Sequence, residues 1–335
     1  MSERLYIGID LGTYQSTIAS SNGDVTTIET IVGKPKDPVA RNMLGRDTLF
    51  GMEALKNKMA CNIFRPLESG VAQDDAENMN AAKSFVTHLI ETVNPDEYDE
   101  VYGVICSPSN ISFSDKTNIV SILRGQVNAI MVVSEPFASA FGIGEINGSI
   151  VIDVGAGTTD VARICGTFPD EKDEVSIEYA GDWLDLELVK LIEKKYTGAQ
   201  VTKDMVRRWK EEYSYVGESK PREHVVDLSV EGKNQSVDIG DLVQIACESL
   251  VPHLVSVVKT IIAEGDPEYQ ATLRNNIIIT GGVSQIEGLE NRLAEELSDI
   301  GSVSVRLAGT PLKNVAVGAL ALAQAMPDEE YTAIN

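Results

Sequence analysis

Cysteine and histidine are scarce in this chain, and the few present are scattered. The four cysteines, Cys61, Cys106, Cys165 and Cys247, form no CxxC pair, and His88, His224 and His253 are equally isolated. That spacing argues against a zinc or redox site, a disulfide framework and His-based catalysis, and suits reduced thiols in a cytoplasmic protein. Positive charge is short as well. Against 51 acidic residues stand 28 basic ones, a net charge of −23, which disfavours nucleic acid or an anionic membrane surface as a partner bound by bulk electrostatics. Clean apolar runs are missing too. The longest apolar stretch, residues 242–262, contains Glu248, Pro252, His253 and Lys259, so no membrane insertion is expected. The chain opens Met1-Ser2-Glu3-Arg4 and passes directly into a strand-like segment, so no signal peptide is expected. Its 335 residues, 43% hydrophobic, suffice for two domains with sizeable cores.

What is present centres on residues 150–162, which read IVIDVGAGTTDVA. Residues 150–154 and 161–165 read as two strands joined by a tight glycine turn. Gly155 and Gly157 let backbone N–H groups crowd one point, and such a cluster forms a nest for phosphate oxygens. Asp153 leaves the first strand beside that nest, well placed for a metal that bridges phosphates. One copy alone fits an ordinary hairpin equally well. A second copy shifts the balance: residues 7–20 read IGIDLGTYQSTIAS, and placing Asp10 on Asp153, 143 residues on, also matches Ile7 with Ile150, Ile9 with Ile152, Gly12 with Gly155 and Ala19 with Ala162. An internal repeat near half the chain length suggests two similar domains gripping one phosphorylated ligand. Neither copy is a Rossmann fingerprint, because each turn runs into a second strand rather than a helix.

The remaining segments fall into order around these two. Gly and Pro punctuate residues 31–70, which read as a small inserted subdomain with a helix over 52–59. Met79, Ala82, Phe85, Val86, Leu89 and Ile90 make one stripe of a helix over 76–93. The acidic group Asp96, Glu97, Asp99 and Glu100 reads as a solvated loop, and residues 101–106 and 130–133 as buried strands. Ser134-Glu135-Pro136 then opens a small-residue helix, with Pro136 suited to its first turn and Glu135 at the strand exit, where the helix dipole also favours a carboxylate. Residues 183–196 form an amphipathic helix, 205–217 a charged one, and 225–237 short strands. Pro252 kinks or divides the apolar helix of 241–263. Residues 276–280 are a strand that enters Gly281-Gly282-Val283-Ser284-Gln285, followed by a helix to Leu297. Residues 315–325 form a small-residue apolar helix suited to core packing.

Taken together, the ordered set of phosphate loop, connecting helix, second phosphate loop, glycine loop and second connecting helix resembles the actin, heat-shock chaperone and sugar-kinase ATPase superfamily. The length fits the bacterial actin-like (actin/MreB superfamily) filament proteins. The segments VGKPKD (32–37), VSEPF (133–137), DVGAGTTD (153–160), KEEYSYVG (210–217), IACESLVP (245–252) and EYQATLRNNIIITGG (268–282) are most similar to the actin-like proteins of magnetotactic bacteria. RPLESGV (65–71) resembles the segment that returns the chain to the first domain.

The resemblance implies an α/β actin-like ATPase fold: two similar RNase H-like domains around a nucleotide cleft, each with a small inserted subdomain. The implied boundaries are 1–148 (subdomain about 31–70), 149–310 (subdomain about 183–240), and 311–335 as a C-terminal helix returning to the first domain. The resemblance also implies that the helix of 315–325 packs on the Glu135 helix, with Gly142, Gly144 and Gly318 permitting close approach. It implies ATP with Mg²⁺, the metal held near Asp10 and Asp153 largely through waters. Phosphates would take N–H groups near Gly12, Thr13, Tyr14 and Gln15, those of Gly155, Ala156 and Gly157, and the hydroxyls of Thr158 and Thr159. Glu135 and Asp153 would position the attacking water. Lys210 and Glu211 match the pair that contacts adenosine, and Gly281, Gly282 and Val283 the adenosine loop. Two departures stand out: Arg207 replaces a Glu common in cell-shape actins, and Val283 replaces a third glycine. The implied function is a self-assembling cytoplasmic filament that organises magnetosomes with adaptor proteins. A small-molecule kinase of the same fold, or a plasmid-partition or cell-shape actin, is the alternative.

Overall fold

A computed structural model describes residues 3–73, 75–217 and 220–334. The chain divides into two compact units. One comprises the residues up to Ile146 together with those from Leu312 onward, the other Asn147–Pro311.

In the first unit, β1 (Arg4–Asp10), β2 (Gln15–Ser20) and β3 (Val25–Glu29) run as an antiparallel meander. The small subdomain follows. In it β4 (Val32–Pro35) lies between β5 (Leu49–Phe50) and β6 (Cys61–Phe64), with α1 (Pro38–Leu44) and α2 (Gly51–Lys56). Its own core is Ile31, Leu49, Ala54 and Cys61. The helix expected over 52–59 is the shorter α2. A hairpin of β7 (Leu67–Glu68) and β8 (Val71–Ala72) turns through Ser69 (φ 48°) and Gly70 (φ 73°), the two positive φ angles that a tight two-residue turn requires. Then come α3 (Ala76–Glu91), β9 (Glu100–Ser107), α4 (Phe113–Leu123), β10 (Ala129–Ser134) and α5 (Glu135–Gly142).

The second unit begins with β11 (Asn147–Val154), β12 (Thr159–Cys165), β13 (Glu174–Ile177) and α6 (Gly181–Lys195). It continues through β14 (Ala199–Gln200), α7 (Lys203–Tyr213), β15 (Val225–Val230), β16 (Lys233–Asp238) and α8 (Gly240–Ala263). It ends with α9 (Gln270–Arg274), β17 (Ile277–Thr280), α10 (Leu289–Glu296) and β18 (Val305–Leu307). The chain returns to the first unit as α11 (Asn314–Ala325) and β19 (Thr332–Ala333).

The principal sheets run β19-β10-β9-β1-β2-β3 in the first unit and β13-β12-β11-β17-β18 in the second. The internal repeat is visible in their registers. Asp10 faces Thr17 and Ile9 faces Ile18. At the same offset, Asp153 faces Asp160 and Ile152 faces Val161. Each acid also lies on a strand with a parallel neighbour: Asp10, the last residue of β1, beside Cys106, and Asp153, the penultimate residue of β11, beside Thr280.

Of the kink or division expected at Pro252, division is excluded: α8 is one helix of 24 residues. Proline removes one ladder hydrogen bond, but buried residues from Val243 through Leu250 and Leu254 to Ile262 anchor both sides of it in the core. Length and hydropathy alone would let α8 cross a membrane, yet its apolar stripe lies at the centre of this unit's core. After β17 a 3₁₀ turn covers Gly282–Gln285, and Gly288 (φ 84°) redirects the chain into α10, which covers most of the helix expected up to Leu297.

α5 and α11 approach backbone to backbone. A Cβ on Gly318 would lie 1.9 Å from Ala138 O, one on Gly142 2.7 Å from Gly318 Cα, and one on Gly8 of β1 2.2 Å from Leu320 N. Gly144 takes no part in this approach. It meets nothing within 4 Å, and its φ of 76° instead serves the turn after α5. Replacing Gly318 by Ala is expected to destabilise the protein by about 1–3 kcal/mol through overpacking. An unchanged midpoint in urea unfolding would show that the helix pair can part at no cost.

Candidate functional site

Each unit presents one loop built by the same device, but on different anchors. In the first unit the loop joins β1 to β2. Gly12 is required there, since a Cβ would lie 2.3 Å from Gln15 O. Its carbonyl is tied back by the buried Thr30, whose Oγ1 donates to Gly12 O at 2.7 Å. The Thr30 N–H donates to Tyr14 O at 2.8 Å, and the Thr30 and Ser16 hydroxyls are 2.9 Å apart. A trans peptide is planar, with C=O and N–H on opposite sides. Tying Gly12 O and Tyr14 O inward therefore aims the N–H groups of Thr13 and Gln15 the other way. Sequence reading missed Thr30, because a lone threonine at a strand end carries no periodic signal.

Thr13 and Glu135 meet at one corner of this unit. The Gly70 N–H donates to Thr13 Oγ1 at 2.8 Å, which leaves the Thr13 O–H able to donate elsewhere. A Cβ on Gly70 would stand 2.5 Å from Pro108 Cγ and 3.9 Å from Glu135 Oε1. The hairpin of β7 and β8 thus brackets both groups. Glu135 opens α5 and is buried. Asp10, at the end of β1, lies near Gly12, and burial pushes its carboxyl up to about 7.

The second loop joins β11 to β12. Here the N-terminus of α6 replaces Thr30 as the anchor. Gly181 N–H donates to Gly155 O at 3.1 Å, and Asp182 N–H to Ala156 O at 2.7 Å. The same planarity turns the N–H groups of Ala156 and Gly157 away from α6. Two expected donors are corrected. The Gly155 N–H is committed to Thr158 O at 2.9 Å inside the hairpin. The Thr159 hydroxyl donates to Tyr179 O at 2.7 Å, and Thr159 is fully buried. Thr158 and the N–H groups of Ala156 and Gly157 remain as the loop's phosphate-facing candidates.

Asp153 is buried, and a Cβ on Gly281 would lie 2.4 Å from its Oδ1. Gly281 is therefore the residue that lets the β17 turn cross over this carboxylate. Asp160, which sequence reading gave no role, sits directly opposite Asp153 on β12 and is also fully buried. Residues paired in this way carry their side chains on one sheet face.

The candidates for a base and sugar contact divide. Gly282 and Glu211 are exposed. Val283 is buried in the core, its Cγ2 3.2 Å from where Gly181 would carry a Cβ, so the branched side chain packs inward instead of meeting a base. Lys210 is likewise committed within the fold. Its Nζ donates to Gly181 O at 2.7 Å and pairs with Asp185 at 2.6 Å.

Among the described residues no three His, Cys, Asp or Glu side chains gather into a metal cage. What the loops offer is one carboxylate each, Asp10 and Asp153. A carboxylate of this kind suits Mg²⁺, which takes oxygen ligands, keeps several waters and is commonly completed by substrate phosphates.

Comparison with known proteins gives consistent results. A family model described as MreB/Mbl protein matches residues 4–330. The chain is 32% identical to Actin-like protein MamK of Magnetospirillum gryphiswaldense, over 98% of this chain and 91% of that protein. It is 33% identical to Actin-like protein MamK of Paramagnetospirillum magneticum, over 98% and 94% respectively. Among solved structures, one of a MamK double helical filament matches with a TM-score of 0.93 at 32% identity, covering 97% of this chain and 100% of that one. A non-polymerising MamK mutant bound to AMPPNP matches with a TM-score of 0.75 at 31% identity, again covering 97% and 100%.

Thr30→Val keeps the shape of the side chain while removing the hydroxyl that holds Gly12 O. Loss of that buried donor is expected to lower stability by about 1–3 kcal/mol. Chemical denaturation would read the shift, and an unaltered midpoint would mean that the loop does not depend on this anchor.

Proposed function

The chain belongs to the MreB/Mbl family of actin-like proteins, and from that premise we propose that it is an ATP-dependent polymerising actin homologue. Its filaments organise or position magnetosomes, and slow ATP hydrolysis controls their turnover. The observation that carries this reading is the pair of loops, one per unit, with equivalent acids and with N–H groups turned away from their anchors, in a chain that matches MamK along almost its whole length. The AMPPNP in a MamK structure supports ATP as the ligand. The MamK filament structure supports a second copy of the chain as the partner.

The loop geometry supports the following assignment of roles. The Thr13 N–H and O–H from one loop, and the Ala156 and Gly157 N–H groups with the Thr158 hydroxyl from the other, hold phosphate oxygens. Asp10 and Asp153 would hold Mg²⁺ largely through waters, and the ion would supply charge neutralisation to the phosphates when bound. Glu135 accepts a hydrogen bond from the attacking water and takes its proton at the carboxylate, with Asp153 helping to orient that water. Most of the remaining rate acceleration is positioning and charge stabilisation.

Electron microscopy of negatively stained protein with Mg²⁺ and ATP, beside a nucleotide-free control and with phosphate release followed, tests the reading. Nucleotide-dependent filaments with slow release are the expected result. A monomer that consumes ATP only when a small-molecule acceptor is added would replace the filament with a kinase. Glu135→Ala is expected to bind ATP and assemble while releasing phosphate about 10²–10⁴-fold more slowly, the usual worth of general-base help. Parental turnover in that variant would remove Glu135 from the mechanism. Chelation of Mg²⁺ by EDTA is expected to abolish release, and restored magnesium to recover it.

A further inference from the structure

Behind the second loop lies a group of buried charges that the proposed function does not use. Lys203, Arg207 and Lys210 share one face of α7, at spacings of four and three residues. Asp182 and Asp185 stand three apart at the start of α6, also on one face. Arg207 Nε donates to Asp185 Oδ2 at 3.0 Å, and its Nη2 binds Asp182. Lys210 pairs with the other oxygen of Asp185. Asp185 is fully buried, and the side chain of Arg207 is 9% exposed.

These ions are tied to the loop through backbone. The residue whose carbonyl accepts from Lys210, Gly181, is the residue whose N–H holds Gly155 O. The residue whose carboxylate takes Arg207, Asp182, is the one whose N–H holds Ala156 O. Gly181 also has no slack, with Gly155 O 3.2 Å and Ala156 Cα 3.3 Å from its would-be Cβ. Movement of the first turn of α6 therefore rotates the two peptide planes that carry the outward N–H groups of Ala156 and Gly157.

We infer that Arg207 is a positioning residue for phosphate recognition: by bridging Asp182 and Asp185 it fixes the N-terminus of α6, and through it the aim of the Ala156 and Gly157 N–H donors. The inference rests on the proposed ATP binding and deepens it. Guanidinium suits this place because its planar fork spans two carboxylates, whereas an ammonium is a point charge. Arg207 itself touches no phosphate in this assignment.

The test is equilibrium binding of ATP and of adenosine to the full chain, below the concentration at which it assembles. Arg207→Met is expected to weaken ATP binding by about tenfold or more, the scale of a lost charge-assisted hydrogen bond, and to leave adenosine within about twofold. Arg207→Lys should recover part of the loss. Lys203→Met, on the same helix face but 44% exposed, should leave both affinities within about twofold, as exposed pairs contribute little. A merely structural role would lower ATP and adenosine affinity in the same proportion, or only the thermal midpoint, and either result overturns the inference. If Arg207→Met does not fold, the ratio of the two affinities in Arg207→Lys decides on the same criterion. If the parental protein binds ATP no more tightly than adenosine, the proposed function fails first, which separates the two failures.

Discussion

A planar peptide cannot turn its carbonyl one way without turning its amide N–H the other, and both candidate loops depend on that constraint. A glycine turn alone is floppy: it can present donors, but nothing selects their direction. Here the direction is set from behind. Thr30 holds the carbonyls of the first loop, and the first amides of α6 hold those of the second. The rest of each unit serves to keep these anchors still. β3 ends just before Thr30, and a buried ion network holds α6. The two halves share a strand register, but their loop carbonyls are held by different anchors, one a single threonine and the other a helix end.

Much of the fold was legible in the sequence because the signals were local. The repeat of an acid leading into a glycine turn located both hairpins, and the structure keeps the offset residue for residue through the strand pairs. Helical stripes such as that of α3 were visible for the same reason. What misled was a local rule applied without its surroundings. Proline was read as a kink or a division at Pro252, yet packing on both sides holds α8 together as one helix. Gly144 was grouped with Gly142 and Gly318 by proximity in sequence, although only the latter two face a neighbouring backbone.

The candidate site was legible in its glycines and acids and illegible in its supports. Asp10, Glu135 and Asp153 stood at strand or helix ends, where sequence order alone marks them. Thr30 and Gly70 contact the first loop from 18 and 57 residues away, and no periodicity connects them to it. Lys210 was read by resemblance as an adenosine contact, within a helix that the sequence shows only as highly charged. Only the fold shows the acids of α6 facing that helix and removing the ammonium from solvent. The Thr159 hydroxyl and the Gly155 N–H were assigned by motif, but tertiary hydrogen bonds had already claimed both.

The contact between α5 and α11 is made by main chain, at Gly142, Gly318 and Ala138. Side chains at most helix interfaces can absorb a shift by changing rotamer, and this interface has no such cushion. The two helices therefore behave as a rigid coupling, and a displacement of one is passed on undamped to the other. Glu135 stands at the first position of α5. A shift of α11 at Gly318 is therefore borne by the same helix that carries Glu135 at its first position.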